Sequence, residues 1–287
     1  MHTDKEKIRI QIAHSPDSDD AFMFYALAKE KLTDPGMEFH HILSDIETLN
    51  RKALEGQYEV SAVSFHAYAY LAERYVLLPC GASVGNGYGP IVVGPKESQA
   101  RPLAGRRIAI PGEWTTAHLA LRLYEPRFQA VVVPFDRILD EVAAGSVDAG
   151  LIIHEGQLTF RSWGVEKIAD LGEWWMEKTG LPLPLGGNVI RRDLGIDIMK
   201  KVGYWIRQSI AYGLSHREEA LAYAAGFARG LTAEQIDRFV QMYVNEFTLE
   251  YSPEAKRAVA RLLEDGYRAG VVPRMVAPEF LEIPDAI

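Results

Sequence analysis

The sequence has few of the features that mark secreted or membrane proteins. It contains one cysteine, Cys80, and no apolar run approaches the length of a membrane-spanning helix. A single cysteine excludes an intrachain disulfide framework and suits a reducing compartment, where Cys80 is best interpreted as a small buried side chain. No basic stretch followed by an apolar segment opens the chain. We therefore expect no secretory signal, no membrane insertion and a cytoplasmic location.

Positive charge is also scarce. The chain has 31 Lys and Arg against 39 Asp and Glu, which gives a formal net charge of −8. Nucleic-acid-binding proteins usually carry a basic excess, so we expect no nucleic-acid partner. A small anionic ligand is compatible with this net negative charge, because hydrogen-bond donors close to the ligand attract it more strongly than the distant charges of the whole protein repel it.

Metal and cofactor motifs are missing as well. No two histidines have the spacing of a motif such as HExxH, and the chain has no Walker loop. The acidic residues Asp17, Asp19 and Asp20 lack the glycine and the distal glutamate of a calcium loop. Turn formation and helix capping explain them better. We therefore predict neither a metal site nor a cofactor.

The remaining composition is that of an ordinary globular protein. The 287 residues are 48% hydrophobic and 24% charged, which supplies enough apolar material for one large domain or two modest ones. Alternating apolar residues predict strands at 8–13 and Met37–Leu43, with a helix from Ala21 between them that has Asp19 or Asp20 as its N-cap. The continued alternation of strand and helix patterns predicts an α/β fold.

Two irregular segments divide this alternation. A polar, proline-containing stretch near residues 93–104 indicates a crossing between lobes, and the strand at 189–190 indicates the return. The predicted organisation is a first lobe of residues 1–93 and 189–287 and an inserted second lobe of residues 94–188. A ligand cleft is expected between them. From Ile196 onward, capping signals and helical periodicity predict a helical C-terminal segment.

Polar residues follow several of the predicted strands, where parallel sheets place their ligands. Thr115 and Thr116 lie between a strand and a helix. The free N–H groups at the start of that helix, together with the two hydroxyls, are suited to binding a carboxylate. The alternative is that one threonine only caps the helix.

His154 is the strongest candidate for proton transfer. It directly follows the apolar strand Gly150–Ile153, and histidine titrates near neutrality, as a general base requires. The alternative is a histidine that is hydrogen-bonded at a domain interface. His14 and Asp20, in the turn after the first strand, are further candidate ligand contacts.

Several short motifs acquire specificity from their order and spacing. They are His14–Phe22, Asp45–Arg51, Gly112–Ala117, Phe135–Ile138, Gly150–Glu155 and Gly180–Gly186. Together they resemble the futalosine-pathway family of menaquinone biosynthesis over about residues 8–195. The helical tail resembles that family more loosely.

The resemblance implies a two-lobed, type-two periplasmic-binding-protein-like fold with mixed sheets flanked by helices, used as a cytoplasmic enzyme. It implies lyase-type conversion of cyclic dehypoxanthinylfutalosine to 1,4-dihydroxy-6-naphthoate, with His154 as the proton acceptor. It also implies that substrate contacts are made by Thr115, Thr116, Ala62, Val63 and Ser64. Members of the family often have a lysine at position 62, and alanine here removes one charge partner for a substrate carboxylate.

The expected chemistry is removal of a carbonyl-activated proton by His154, loss of the sugar-derived fragment and aromatisation of the second ring. Such an elimination requires no redox cofactor. Two alternatives stay open: chorismate dehydratase, a sister enzyme on the same fold, and a protein that binds an anionic small molecule without turnover. A homodimer is compatible with the sequence, which does not decide the oligomeric state.

Overall fold

Alternating strands and helices build two sheets in a computed structural model that describes residues 7–228 and 230–287. The strands are β1 (Ile8–His14), β2 (Met37–Leu43), β3 (Val60–Ser64), β4 (Tyr75–Leu77), β5 (Ser83–Gly85), β6 (Ile91–Pro95), β7 (Arg107–Ile110), β8 (Gln129–Val132), β9 (Ala149–Ile152), β10 (Val165–Asp170) and β11 (Leu183–Arg191). The first sheet has the order β2-β1-β3-β11-β4, with β5 paired to β11, and the second has the order β10-β6-β9-β7-β8.

Helices cover both sheets and form the C-terminal part of the chain. They are α1 (Ser18–Ala28), α2 (Ile46–Glu55), α3 (Phe65–Leu71), α4 (Thr116–Tyr124), α5 (Ile138–Ala143), α6 (Gly156–Thr159), α7 (Leu171–Thr179), α8 (Ile196–Ser215), α9 (Arg217–Ala224), α10 (Ala233–Tyr243), α11 (Glu246–Leu249) and α12 (Pro253–Arg268). The helices from α8 onward confirm the predicted helical segment. No helix of the described ranges is both long and apolar enough to cross a membrane.

The two sheets share one plan. In the first, β1 runs parallel to β2 and β3, and β11 runs antiparallel to β3. In the second, β7 runs parallel to β8 and β9, and β6 runs antiparallel to β9. The carboxyl ends of β1 and β3 in one sheet, and of β7 and β9 in the other, therefore provide the loops at which such sheets bind ligands. The predicted α/β fold with mixed sheets is confirmed.

The chain passes from the first sheet to the second between Gly85 and Ile91 and returns before Leu183. Val189 and Ile190 pair with β3 in the first sheet. Both passages between the sheets occur earlier in the chain than the predicted lobe boundaries at 93 and 189. The division into lobes at those boundaries stays a prediction, because strand pairing assigns strands to sheets and does not assign every residue to a lobe.

Helix α1 begins earlier than predicted. Its N-cap is Asp17, which has extended backbone angles and makes no capping hydrogen bond with its side chain. The predicted N-cap at Asp19 or Asp20 is wrong. Both residues lie in the first turn, where a carboxylate favours the positive end of the helix dipole. The earlier start brings a buried acidic side chain to the junction between β1 and α1.

Apolar side chains from both sheets fill the interior. Trp175, from α7, and Tyr68, from α3, belong to one buried cluster. Phe22 and Phe24 of α1 pack with α8 in a second cluster. Burial of such aromatic side chains contributes about 1.5–3 kcal/mol each relative to exposure. This packing fixes α1, and with it the loop that follows β1.

Candidate active site

A cavity lies between the strand ends of the two sheets. It encloses about 770 Å³ counted out to its open mouth. The predicted site residues that line it are Asp20, Ala62, Val63, Ser64, Thr115, Thr116 and His154. Helix α10 contributes Phe239 and Tyr243. The fold therefore brings together residues from five separate segments of the chain.

His154 lies two residues beyond β9, with 18% of its side chain exposed. Its Nδ1 is 2.7 Å from Oδ2 of Asp17. A carboxylate at this distance accepts a hydrogen bond from Nδ1–H, which places the ring's lone pair on Nε2. The ring also meets Phe135 edge-on, with 4.9 Å between the ring centroids. The imidazole is thus held in one orientation and one tautomer.

The backbone of His154 is unusual for a residue with a side chain. Its φ is +56°, in the left-handed region, where a non-glycine residue costs about 1–3 kcal/mol. Such positions are enriched at functional sites because the surrounding structure holds them there. The turn redirects the chain at the end of β9, where His154 lines the cavity and its neighbour Glu155 does not.

Asp17 is a candidate functional residue that the sequence reasoning missed. Its side chain is buried, and its Oδ2 accepts a hydrogen bond from Oγ of Ser15 at 2.7 Å. Ser15 Oγ in turn accepts a hydrogen bond from the backbone N–H of Asp17 at 3.2 Å. The available signal was an acidic cluster at a strand end that faces the predicted cleft. Turn formation and capping were sufficient explanations of that cluster. The partner of Asp17, His154, lies 137 residues further along the chain, as Glu155 does from Ser18.

Glu155 makes a second link between the same segments. Its Oε1 accepts a hydrogen bond from Oγ of Ser18 at 3.3 Å, and its side chain is buried. Two consecutive residues after β9 therefore contact two consecutive residues at the start of α1. Two residues further on, Nε2 of Gln157 donates to the hydroxyl of Tyr243 at 2.8 Å. The loop after β9 is fixed to both α1 and α10.

The paired threonines lie at the start of α4, and both are buried. Thr115 is the N-cap: its hydroxyl accepts from the N–H of His118 at 3.2 Å and donates to the carbonyl of Gly112 at 2.9 Å. Oγ1 of Thr116 accepts from the N–H of His66 at 3.2 Å and keeps its own proton to donate. Thr115 therefore caps α4, and both threonines line the cavity.

Ser64 ends β3 and is held by Asn50 of α2. Its N–H donates to Oδ1 of Asn50 at 2.9 Å, and its Oγ accepts from Nδ2 of the same amide at 3.1 Å. Both side chains are buried. The hydroxyl of Ser64 can therefore donate its own proton to a ligand. Ala62 and Val63 precede it in the lining, where their side chains and backbone shape the wall.

Two carboxyl groups in the first turn of α1 line the cavity. Oδ2 of Asp20 accepts a hydrogen bond from the N–H of Ser15 at 2.7 Å. Burial nevertheless raises the pKa of Asp20 to about 6. Burial also raises the pKa of Asp19 well above its usual value, and the nearby Asp20 and Asp17 raise it further. The cavity therefore contains carboxyl groups that retain protons in a pH range where exposed ones have lost them.

His14 is placed differently from the other predicted contacts. It is buried, stacks on Phe24 with 4.4 Å between ring centroids and lies outside the cavity lining. Its Nε2 is 3.1 Å from Nδ1 of His41, and its Nδ1 is 2.9 Å from the carbonyl of Ser15. Burial lowers the pKa of His14 to about 3, so the ring is neutral. Its contacts support the loop that carries Ser15 and Asp17.

The polar groups define what the cavity is able to do. His154, oriented by Asp17, is placed to act as a base, and the hydroxyls and the start of α4 present hydrogen-bond donors of the kind that bind an anion. Oδ1 of Asn188, a buried residue in the lining, has no hydrogen-bond partner within residues 7–228 and 230–287. No group of three or more His, Cys, Asp or Glu in those ranges is arranged to hold a metal ion.

Solved structures share this architecture. A crystal structure of a protein from Archaeoglobus fulgidus is 45% identical, has a TM-score of 0.87 and covers 95% of this chain and 100% of its own. The alkanesulfonate-binding protein SsuA from Xanthomonas axonopodis is 14% identical, with a TM-score of 0.71 over 96% of this chain and 97% of its own, and shares the fold. Fold and site define an α/β protein of the periplasmic-binding-protein-like class whose cavity is lined by a histidine that is paired with a buried aspartate.

The sequence comparison gives the family. Residues 10–268 match the family model for menaquinone biosynthesis, and the chain belongs to that family. It is 44% identical over 272 residues to a 1,4-dihydroxy-6-naphthoate synthase of Thermus thermophilus, covering 95% of this chain and 99% of that protein. The corresponding enzyme of Streptomyces coelicolor is 36% identical over 282 residues, covering 96% and 98%. The predicted family resemblance is confirmed.

Proposed function

We propose that this chain is a 1,4-dihydroxy-6-naphthoate synthase that converts cyclic dehypoxanthinylfutalosine by proton abstraction and elimination. Membership in the menaquinone biosynthesis family and the names of its relatives in Thermus and Streptomyces support this reaction. The observation that carries the mechanism is the 2.7 Å contact between Nδ1 of His154 and Oδ2 of Asp17 at the edge of the cavity.

In this mechanism His154 takes the proton on Nε2. Asp17 stabilises the imidazolium that forms, as a buried carboxylate does for a histidine base. The proton leaves a carbon next to a substrate carbonyl, the bond to the sugar-derived fragment then breaks, and aromatisation of the second ring favours the products. The electrons stay within the substrate, so this account requires no redox cofactor.

The anionic substrate is held by donors from both sheets. Thr116, the start of α4 and Ser64 would contact its carboxylate, because each presents a hydrogen-bond donor at the cavity wall. Ala62 and Val63 would contact its rings, and the buried amide of Asn188 would pair with a hydroxyl. Asp20 would lie against the same ligand. For His14 the buried ring contacts favour support of the loop at Ser15 over direct contact.

The test is turnover of cyclic dehypoxanthinylfutalosine by purified protein, followed by chromatography and mass detection of 1,4-dihydroxy-6-naphthoate. His154→Asn keeps a residue that tolerates positive φ and removes the base, so we expect activity to fall by about 10²- to 10⁴-fold. His40→Asn, at a half-buried histidine of β2 outside the cavity lining, is the matched control.

Two other results would replace the proposal. Dehydration of chorismate, with no naphthoate formed, would assign the sister activity. Tight binding of the futalosine derivative without turnover would assign a binding protein. A cytoplasmic location and a homodimer stay predictions; the single buried Cys80 is consistent with a reducing compartment.

A further inference from the structure

Asn188 brings to the cavity wall a hydrogen-bond acceptor that the protein itself does not satisfy. This residue of β11 lines the cavity and is 1% exposed. Its Oδ1 is shielded from solvent and has no hydrogen-bond partner in either described range of the chain, 7–228 or 230–287. A buried acceptor without a partner destabilises the folded protein, and a ligand that brings a donor removes that cost.

The orientation of this amide is set by Gly81. Nδ2 of Asn188 donates to the carbonyl of Gly81 at 3.3 Å. Because a carbonyl accepts hydrogen bonds and never donates them, the amide nitrogen must face Gly81, and the oxygen is the atom that is left over. A Cβ at position 81 would be 2.1 Å from Nδ2, so this contact requires the glycine. The unpaired group is therefore an acceptor, which only a donor can satisfy.

The backbone of Asn188 is held on both sides of its strand. Its register partner in β3 is Ala62, and its carbonyl accepts from the N–H of Leu78 at 2.8 Å. Strand β11 lies between β3 and β4 in the first sheet. A residue on an interior strand is unable to move toward another partner without breaking these pairings. The free acceptor is thus a fixed feature of the cavity wall.

The chemistry of the proposed substrate limits which of its groups fits this acceptor. A carboxylate and a carbonyl have no proton to donate. The carboxylate is also matched by other groups, because Thr116, Ser64 and the start of α4 are donors. The hydroxyls of the sugar-derived fragment are neutral and donate. They are the groups that an amide oxygen in this cavity selects.

We infer that Asn188 is a specificity-determining residue whose Oδ1 accepts a hydrogen bond from a hydroxyl of the sugar-derived fragment. This inference rests on the proposed function. That fragment is the part of the substrate that leaves, so the substrate makes this hydrogen bond and the naphthoate product does not. Asn188 therefore strengthens binding of the substrate and has no effect on binding of the product.

Asn188→Ala tests this difference between substrate and product. We expect kcat/KM for cyclic dehypoxanthinylfutalosine to fall by about 10- to 100-fold. The inhibition constant of 1,4-dihydroxy-6-naphthoate should stay within about twofold of the wild-type value, since the product lacks the fragment that Asn188 contacts. Asn86→Ala, at an exposed position outside the cavity lining, is the matched control and keeps both values.

Substrate analogues that each lack one sugar hydroxyl identify the group that Asn188 contacts. The wild type should use one of them about 10- to 100-fold less efficiently than the parent compound, because its buried acceptor is then unpaired. Asn188→Ala should use that analogue and the parent compound equally well. Such non-additivity is the signature of a direct contact, which a general structural defect does not produce.

Wild-type kcat/KM in folded Asn188→Ala overturns the inference, and so does an equal loss of affinity for substrate and product. If the variant does not fold, the wild type decides the question: equal kcat/KM for the parent compound and every deoxy analogue overturns it. A wild type that binds the parent compound without converting it refutes the proposed function alone, and dissociation constants then replace kcat/KM in the same comparisons. A wild type that does not bind the compound refutes both.

Discussion

Gly112 lies so close to Glu47 that a Cβ at position 112 would be 2.2 Å from Oε2 of the glutamate. The glycine precedes α4 beside the second sheet, and Glu47 belongs to α2 beside the first. The same Oε2 accepts a hydrogen bond from the N–H of Trp114 at 3.0 Å. A side chain at residue 112 is therefore incompatible with the observed contact between the two sheets' loops.

Gly112→Ala should displace Glu47 and shift the loop that carries Thr115 and Thr116. Overpacking of this kind costs about 1–3 kcal/mol. We expect KM for cyclic dehypoxanthinylfutalosine to rise by about tenfold, with a smaller change in kcat, because the anion-binding residues move and the base does not. Gly36→Ala, whose Cβ would have only ordinary contacts at 3.4 and 3.9 Å, is the matched control. An unchanged KM would contradict the close contact.

Asp17→Asn tests the orientation of the base. The substitution keeps the shape of the side chain and removes the charge, so His154 loses its preference for the tautomer with the proton on Nδ1. We expect kcat to fall by about 10²- to 10⁴-fold with little change in the free energy of unfolding. The measurement is steady-state kinetics together with urea unfolding, with Asp140→Asn, at a half-buried position of α5 outside the cavity lining, as the control. Retention of more than a tenth of wild-type kcat would show that the charge of Asp17 is dispensable.

Asn50→Ala should destabilise the loop at Ser64. The buried amide makes two hydrogen bonds with Ser64, and its loss leaves the N–H of Ser64 without its partner. Removing one side of a buried pair costs about 1–3 kcal/mol. We expect a lower urea midpoint with an unchanged slope, whereas Asn86→Ala, at an exposed position, should have the wild-type midpoint. Equal urea midpoints for the two variants would show that the hydrogen bonds of Asn50 do not stabilise the fold.

The stability of the protein should depend on pH through His66. Burial lowers the pKa of this residue to about 4 from its ordinary 6.5. Between those values the unfolded chain binds a proton that the folded chain does not, so the folded state loses stability as pH falls below 6.5 and is unaffected above it. His66→Gln removes this dependence. The difference in unfolding free energy between wild type and variant should fall by about 1.6 kcal/mol from pH 6.5 to pH 5.

Comparing wild type with variant is necessary in this experiment because other groups titrate in the same range. Burial raises the pKa of Asp20 to about 6, which acts with the opposite sign. Asp20 is common to both proteins and cancels in the difference. A difference that is constant with pH would mean that the ring of His66 is protonated equally in both states.

The sequence predicted the parts of the site that depend on local pattern. Strand β2 has the predicted bounds, and the C-terminal segment is helical as its capping signals predicted. Thr115, Thr116 and His154 could be placed at strand ends because apolar runs end directly before them. The start of α1 was missed because any of three nearby aspartates satisfies the capping pattern equally well.

The pairing of Asp17 with His154 could not be obtained from local pattern at all. It depends on how two sheets face each other, and that geometry is set by the packing of helices and strands far along the chain. The same holds for Asn188, whose neighbours in β11 carry only the signal of a buried strand. Residues whose function depends on a distant partner are visible only once the fold places that partner.

The imidazole of His154 follows a strand of one sheet, and the carboxylate that sets its tautomer follows a strand of the other. If the two halves separate to admit substrate, that hydrogen bond must break, and the ring becomes an ordinary solvated histidine. The pair of His154 and Asp17 that removes the proton then forms only when the cavity has closed around the substrate. Side reactions of a strong exposed base with other cellular carbonyl compounds would be suppressed by the same movement that begins each catalytic cycle.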